Sequence, residues 1–301
     1  MKNKEISDLY HAGYQQVILE DTVLNIQFPM TIMYPTTHPE YMEPLGPYTL
    51  ELSKDADPIE EIQFPLVILS HGNSGSPLVH RTLAQYLARH GFVVGMPEHP
   101  YNNRNHNQWE GTIQNLTHRP RHIELAIDWF VENMVFQKVV QADQVSLIGH
   151  SLGGYTALAV AGGLPTSFEH ESPDQTEHPI EVTSDQRVQS LVLLAPATVW
   201  FRVEGALKNV DMPILMLDAE QDQYTPYFHA QIVLQGVAHP QQVEYRTIEN
   251  AGHFSFLSPF PEVMKNPTFL PSQDPAGFNR IAFHETLYVD IFNFLKANTL
   301  K

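Results

Sequence analysis

Short apolar runs, most of them rich in Val, Ile and Leu, recur along the chain, and the stretches between them carry a helical rhythm. Eight runs read as strands: QQVILE from residue 15, MTIMYP from 30, PLVILS from 65, FVVGMP from 92, VSLIG from 145, SLVLLAP from 190, PILMLDA from 213 and VEYRTIE from 243. The first two stand too close for a helix to fit between them, which predicts an antiparallel pair. From the third run onward helical segments intervene. Residues 79–90 place Leu83, Tyr86, Leu87 and His90 on one face, and residues 120–135 do the same with Ile123, Ile127, Phe130 and Met134. Pro120 reads as the first residue of that second helix, which leaves His118 ahead of it. Alternating strand and helix predicts an α/β fold, an eight-stranded and mostly parallel sheet with helices on both faces.

No internal repeat or Gly/Ser linker interrupts the 301 residues, so one domain over 1–301 is expected. One segment, about 164–188, breaks the alternation. Its stretch TSFEHESPDQTEHPIEVTSDQR holds six carboxylates and one arginine, the composition of a solvated excursion that serves as a surface loop or as a lid. Segments 197–212 and 254–277 read as further lid-like pieces.

Charge and cysteine content narrow the function. Acidic residues outnumber basic ones 34 to 17, a formal charge of -17, so phosphate backbones and anionic lipid surfaces are repelled. Nucleic acid is excluded as an expected partner. The absence of cysteine removes disulfides, thiol nucleophiles and cysteine-based zinc sites. The polar start MKNKEISDLYHAGYQQ lacks a signal-peptide core and no run reaches the length of a membrane span, so a cytoplasmic protein is the default expectation. Sixteen histidines invite a metal reading, yet His99, His106, His118 and His122 come without an H-E-x-x-H pattern or a carboxylate cluster. Neither a metal nor a cofactor is expected.

The chemistry concentrates around VSLIGHSLGG. There Gly149-His150-Ser151-Leu152-Gly153 follows an apolar strand and opens a small-residue helix, the strand-turn-helix setting of a nucleophile elbow. A serine hydroxyl needs a base, and the base needs a carboxylate to orient it. Asp222 follows the seventh run in LDAEQDQYTP and His253 follows the eighth in ENAGHFSFL, giving the chain order Ser, acid, His. Asp218 is the runner-up acid and Glu220 comes behind it. Donors for an oxyanion are expected from the backbone N–H of Asn73, in LSHGNSG after the third run, and of Leu152. Aromatic and imidazole side chains near these loops, His150, Trp200, Phe201, Tyr224, Phe254, Phe256 and Phe260, are candidate walls of a substrate pocket.

The stretches LVILSHGNSG, LAQYLARHGFVVGMPEHPYN, HRPRHIELAIDW, GHSLGG, LVLLAPA and AGHFSFL resemble the α/β-hydrolase superfamily. Within it they are similar to bacterial dienelactone-hydrolase-like proteins related to platelet-activating-factor acetylhydrolases. The resemblance implies a serine hydrolase that cleaves carboxylic esters through an acyl-enzyme, and the bulky rings of Trp200, Phe201, Phe254, Phe256 and Phe260 near the site predict small or short-acyl substrates. The same triad also serves thioesterases, amidases and acyltransferases, and a ligand-binding protein that kept the fold is the reading from another class. Two departures stand out: Glu98 where relatives read P-D-H-P, and His122 where they often read R-P-x-D. Dienelactone hydrolases proper use a cysteine, which this chain lacks.

Overall fold

The structure is a computed structural model that describes residues 10–299. Its first two strands, β1 His11–Asp21 and β2 Ile26–Thr36, pair antiparallel from His11 opposite Thr36 to Asp21 opposite Ile26. A hairpin follows, β3 Tyr41–Leu45 and β4 Tyr48–Lys54. The chain then alternates through β5 Phe64–Ser70, α1 Arg81–Arg89, β6 Val93–Pro97, α2 Ile113–Glu132, β7 Val140–His150 and α3 Leu152–Val160. It closes with β8 Val188–Leu194, β9 Ile214–Ala219, α4 Phe228–Gly236, β10 Val243–Ile248 and α5 Arg280–Thr299. The strands lie in the order β10-β9-β8-β7-β5-β6-β2-β1-β4-β3, and β5 through β10 run parallel to their neighbours among themselves.

The uninterrupted apolar strands follow from burial on both faces. Along β5, Leu66 and Ile68 point into one core with Leu116, Ile123, Ile127 and Phe130 of α2, while Val67 and Leu69 point into the other with Leu83 and Leu87 of α1. Leu287, Ile291 and Leu295 of α5 complete that second layer. A strand covered on one face alone would alternate.

Three expectations need correction. The sheet has ten strands rather than eight, because β3 carries Pro44, Pro47 follows in the turn to β4, and Tyr41 and Met42 are exposed, which hides the period of a buried strand. Proline fits there because β3 is the sheet edge, where a missing N–H breaks no ladder. Helix α2 begins at Ile113, capped by the Thr112 hydroxyl, and Pro120 lies inside it. A proline there leaves the carbonyl four residues back without its N–H donor; the Tyr155 hydroxyl of α3 donates to that carbonyl, of Leu116, at 2.9 Å. His118 is therefore helical. Met134 lies past the end of α2 and is 79% exposed, not on the core face.

Candidate active site

Ser151 sits between β7 and α3 at φ 55° and ψ −121°, a left-handed setting that costs a non-glycine residue of order 1–3 kcal/mol. Its neighbours hold it there. The Ser151 N–H donates to the Leu194 carbonyl at 3.0 Å, and the Ser151 carbonyl accepts from Gly154 at 2.8 Å and Ala197 at 2.9 Å. The turn is so tight that a Cβ on Gly149 would stand 2.2 Å from the Gly153 oxygen, and one on Gly153 would stand 2.0 Å from the Ser70 oxygen. Both glycines of the motif are thus required by contact with backbone.

Asp222 and His253 meet beside it. The loop after β9 brings an Asp222 oxygen to 2.7 Å from His253 Nδ1, with both side chains buried. The other Asp222 oxygen accepts from the Tyr224 and Thr225 amides at 2.7 and 2.9 Å, and the Thr225 hydroxyl donates at 2.8 Å to the oxygen that faces His253. Burial alone would raise this carboxyl, but the His253 hydrogen bond and charge, with the Thr225 donors, outweigh it and hold the group down at about 2. Asp222 therefore stays ionised and faces Nδ1, with Nε2 on the opposite side of the ring from this contact. Asp218 and Glu220 do not join this contact. Asp218 accepts from the Tyr245 hydroxyl at 2.6 Å, and Glu220 accepts from the Asn250 amide at 2.8 Å.

The Asn73 loop is fastened from below. The His99 amide donates to His71 Nε2 at 3.1 Å, so the His71 proton sits on Nδ1 and is donated to the Gly72 carbonyl at 2.8 Å. Gly75 N–H donates to the same carbonyl at 3.1 Å. In a trans peptide the N–H points opposite the C=O, so anchoring Gly72 O also fixes the direction of the Asn73 N–H. Arg119, buried and without a carboxylate partner among the described residues, reaches the His71 carbonyl, Thr156 at 3.0 Å and Asn102 at 2.6 Å. Asn102 in turn donates to the Asn73 side chain at 2.6 Å. Burial brings the Arg119 guanidinium down to about 9 and, with the charge of Arg119, lowers His71 to about 3, so that histidine is neutral.

Two lobes open on either side of Ser151 and His253. The first, about 430 Å³, is walled by Glu110, Asn115, Glu171, Trp200, Tyr224 and Phe254. The second, about 450 Å³, is walled by Tyr48, Arg104, His150, Leu257, Phe260 and Phe269. Of the expected pocket residues, His150, Trp200, Tyr224, Phe254 and Phe260 line a lobe. Phe201 and Phe256 do not: Phe201 stacks on Tyr155 at 5.5 Å in one core, and Phe256 is buried against Phe283 in the other. His150 also donates from Nε2 to the His253 carbonyl at 2.9 Å, tying the two loops together. Tyr48 at the start of β4, Asn115 in the first turn of α2, and Arg104, Glu110, Glu171 and Phe269 lie far apart in sequence and carry no local sequence signal.

The segment around 164–188 is fastened to the fold at several points. Arg202 donates to the carbonyls of Thr166 and Ser167 and pairs with Glu177, while Glu171 turns inward to the first lobe. His122 packs against Phe28 and His99, and Glu98 lines a separate surface hollow. Among the described residues no three His, Asp or Glu side chains gather as a metal ion would need. No described helix is long and apolar enough to cross a membrane.

Residues 65–208 match the family described as alpha/beta hydrolase fold. The solved structure of a ferulic acid esterase from Streptomyces cinnamoneus superposes with a TM-score of 0.69 over 97% of this chain and 91% of that one, at 17% identity. The chain has the α/β-hydrolase fold. As many as 800 solved chains share the likeness, so it identifies this fold and not a substrate. No curated protein sequence matches the chain. Within an α/β-hydrolase fold, the loops after β5, β7, β9 and β10 all emerge at the carboxyl end of the sheet, where open α/β sheets bind ligands.

Proposed function

We propose that this α/β-hydrolase-fold protein is a serine carboxylic-ester hydrolase working as one catalytic domain, with Ser151 as nucleophile, His253 as base and Asp222 as the orienting acid. The observation that carries the reading is the 2.7 Å bond from Asp222 to His253 Nδ1, in a cavity that also holds Ser151 at its strained turn. The Ser151 proton passes to Nε2 as Oγ adds to the ester carbonyl. The tetrahedral oxygen takes hydrogen bonds from the N–H groups of Asn73 and Leu152, the latter at the N-terminus of α3 where the helix field favours an anion. Asp222, ionised and buried, stabilises the imidazolium so formed. Collapse expels the alkoxide, which takes the proton from Nε2, and water repeats the sequence on the acyl-enzyme. The solved esterase of the same fold, and two lobes of limited volume ending on Phe254, Phe260 and Phe269, support an ester with small or short-acyl halves.

A fluorophosphonate should label the parent chain and leave Ser151→Ala unlabelled, with hydrolysis reduced on the order of 10⁶-fold in that variant. 4-Nitrophenyl esters from acetate to palmitate, kept below micelle formation, should peak in kcat/KM at short chains. Retained labelling of Ser151→Ala would remove the serine from this role, and a rate still rising beyond octanoate would remove the short-acyl preference.

A further inference from the structure

The two lobes differ in charge. The first has Glu110 and Glu171 in its wall and no Lys or Arg; the second has Arg104 and no Asp or Glu. Glu171 is 6% exposed, and its oxygens accept from the Trp200 indole at 3.0 Å and from the Phe168 amide at 2.7 Å. These are neutral donors, and no cation pairs with Glu171 among the described residues. Glu110, at the rim, is likewise held by neutral groups, the side-chain amides of Asn73 and Asn107. Asn115 adds an independent sign of a missing partner: it is 3% exposed, lines the same lobe, and its Oδ1 has no hydrogen-bond partner among the described residues. A buried polar atom left unpaired costs about 1–3 kcal/mol.

Aromatic rings complete the lobe. Trp200, Tyr224 and Phe254 share its wall with the two carboxylates. Aromatic rings, carboxylate oxygens and an unpaired amide oxygen together are surroundings that favour an alkylammonium ion. A neutral polar group would gain hydrogen bonds here but nothing from the two uncompensated charges. An anion would be repelled by both.

We infer that the first lobe, with Glu171, Glu110 and Trp200, is a recognition site for an alkylammonium group on one half of the ester substrate, the apolar half lying in the lobe of Tyr48, Phe260 and Phe269. The inference rests on the esterase reading for its kinetics but not for its binding. It adds no step to the chemistry. The ammonium sets which esters are well placed at Ser151, and Glu171 acts on specificity through charge.

A matched pair of substrates isolates that charge: 2-(trimethylammonio)ethyl acetate and its carbon isostere 3,3-dimethylbutyl acetate. The parent chain should favour the cationic ester in kcat/KM by tenfold or more. That ratio should fall toward one in Glu171→Gln and fall further in Glu171→Gln with Glu110→Gln, and because it is internal to each protein it is insensitive to losses of folded material. Tetramethylammonium chloride should bind the parent in calorimetry at an ionic strength held constant with sodium chloride, and bind Glu171→Gln more weakly. A ratio near one in the parent would overturn the inference, as would a preference that survives both substitutions. If the parent hydrolyses neither ester nor 4-nitrophenyl acetate, the esterase reading has failed and the calorimetry alone decides: saturable binding lost in Glu171→Gln supports the ammonium site, and no binding overturns it.

Discussion

Asp222 and Asp218 stand four residues apart at the end of β9, and both are buried, yet their surroundings assign them different work. Asp222 collects Tyr224, Thr225 and His253, whereas Asp218 is spent on the Tyr245 hydroxyl. Asp222→Asn should therefore lower kcat by about 10⁴, because an amide donating to Nδ1 moves the imidazole proton to Nε2, where it blocks transfer from Ser151. Asp218→Asn should change kcat little. Steady-state kinetics of the two variants check this, and the reverse ranking would move the acid to Asp218. The meeting of Asp222 and His253 in a cavity with Ser151 was legible because each lies within a few residues of the end of an expected strand. The lobe walls were not, since Glu171 and Tyr48 are brought in by packing of segments far apart in sequence. Phe201 and Phe256 show the opposite error: nearness in sequence to the site does not say which way a ring points.

At the scale of elements, β5 to β9 were readable from apolar runs, which burial on both faces requires, while the edge strand β10, VEYRTI, showed the alternation of a strand covered on one side. The β3–β4 hairpin was not, being an edge with prolines and exposed side chains. Helix α2 was misjudged at its start because Pro120 normally marks a first turn, and only the fold shows the Tyr155 hydroxyl serving the Leu116 carbonyl that Pro120 leaves without a donor. That substitution of one donor for another is measurable. Tyr155→Phe should destabilise the protein by about 1–3 kcal/mol, the cost of a buried unpaired carbonyl. Placing Tyr155→Phe in a Pro120→Ala background should cost clearly less, because the alanine N–H restores the helical bond. Denaturant melts of the four proteins give the coupling. A cycle with no coupling would show that Tyr155 stabilises α2 by packing alone.

Across the whole molecule the unusual resource is histidine, sixteen in all, and many are buried as neutral rings. Burial, reinforced by Arg119, lowers His71 to about 3 and puts His99 and His122 well below their ordinary value. Burial with the charge of His253 brings His150 to about 3, and burial with His150 lowers His80. Burial likewise takes His229 and His284 to about 4. In the unfolded chain these imidazoles take up a proton near pH 6.5, whereas in the folded chain they do not until far lower. The unfolded state thus binds more protons over the interval between, so stability rises with pH there and falls as pH drops through about 6.5 toward 4. Each such histidine contributes roughly 1 kcal/mol per pH unit, and several acting together exceed the marginal stability of a typical domain, about 5–15 kcal/mol, within two units. Asp222, held at about 2, is already ionised throughout that window and loses its own contribution only at lower pH. The expected outcome is a cooperative acid unfolding complete above pH 4, before most carboxylates protonate. Thermal melts at half-unit steps from pH 8 to 4 test it: Tm should be nearly flat at the top of the range and drop steeply below about 6.5. His80→Phe, which removes one ring that burial holds neutral and whose two nitrogens have no hydrogen-bond partner among the described residues, should make that drop shallower. A Tm independent of pH down to 5 would mean that these rings are protonated within the fold and that their burial is relieved by motions the static packing does not contain.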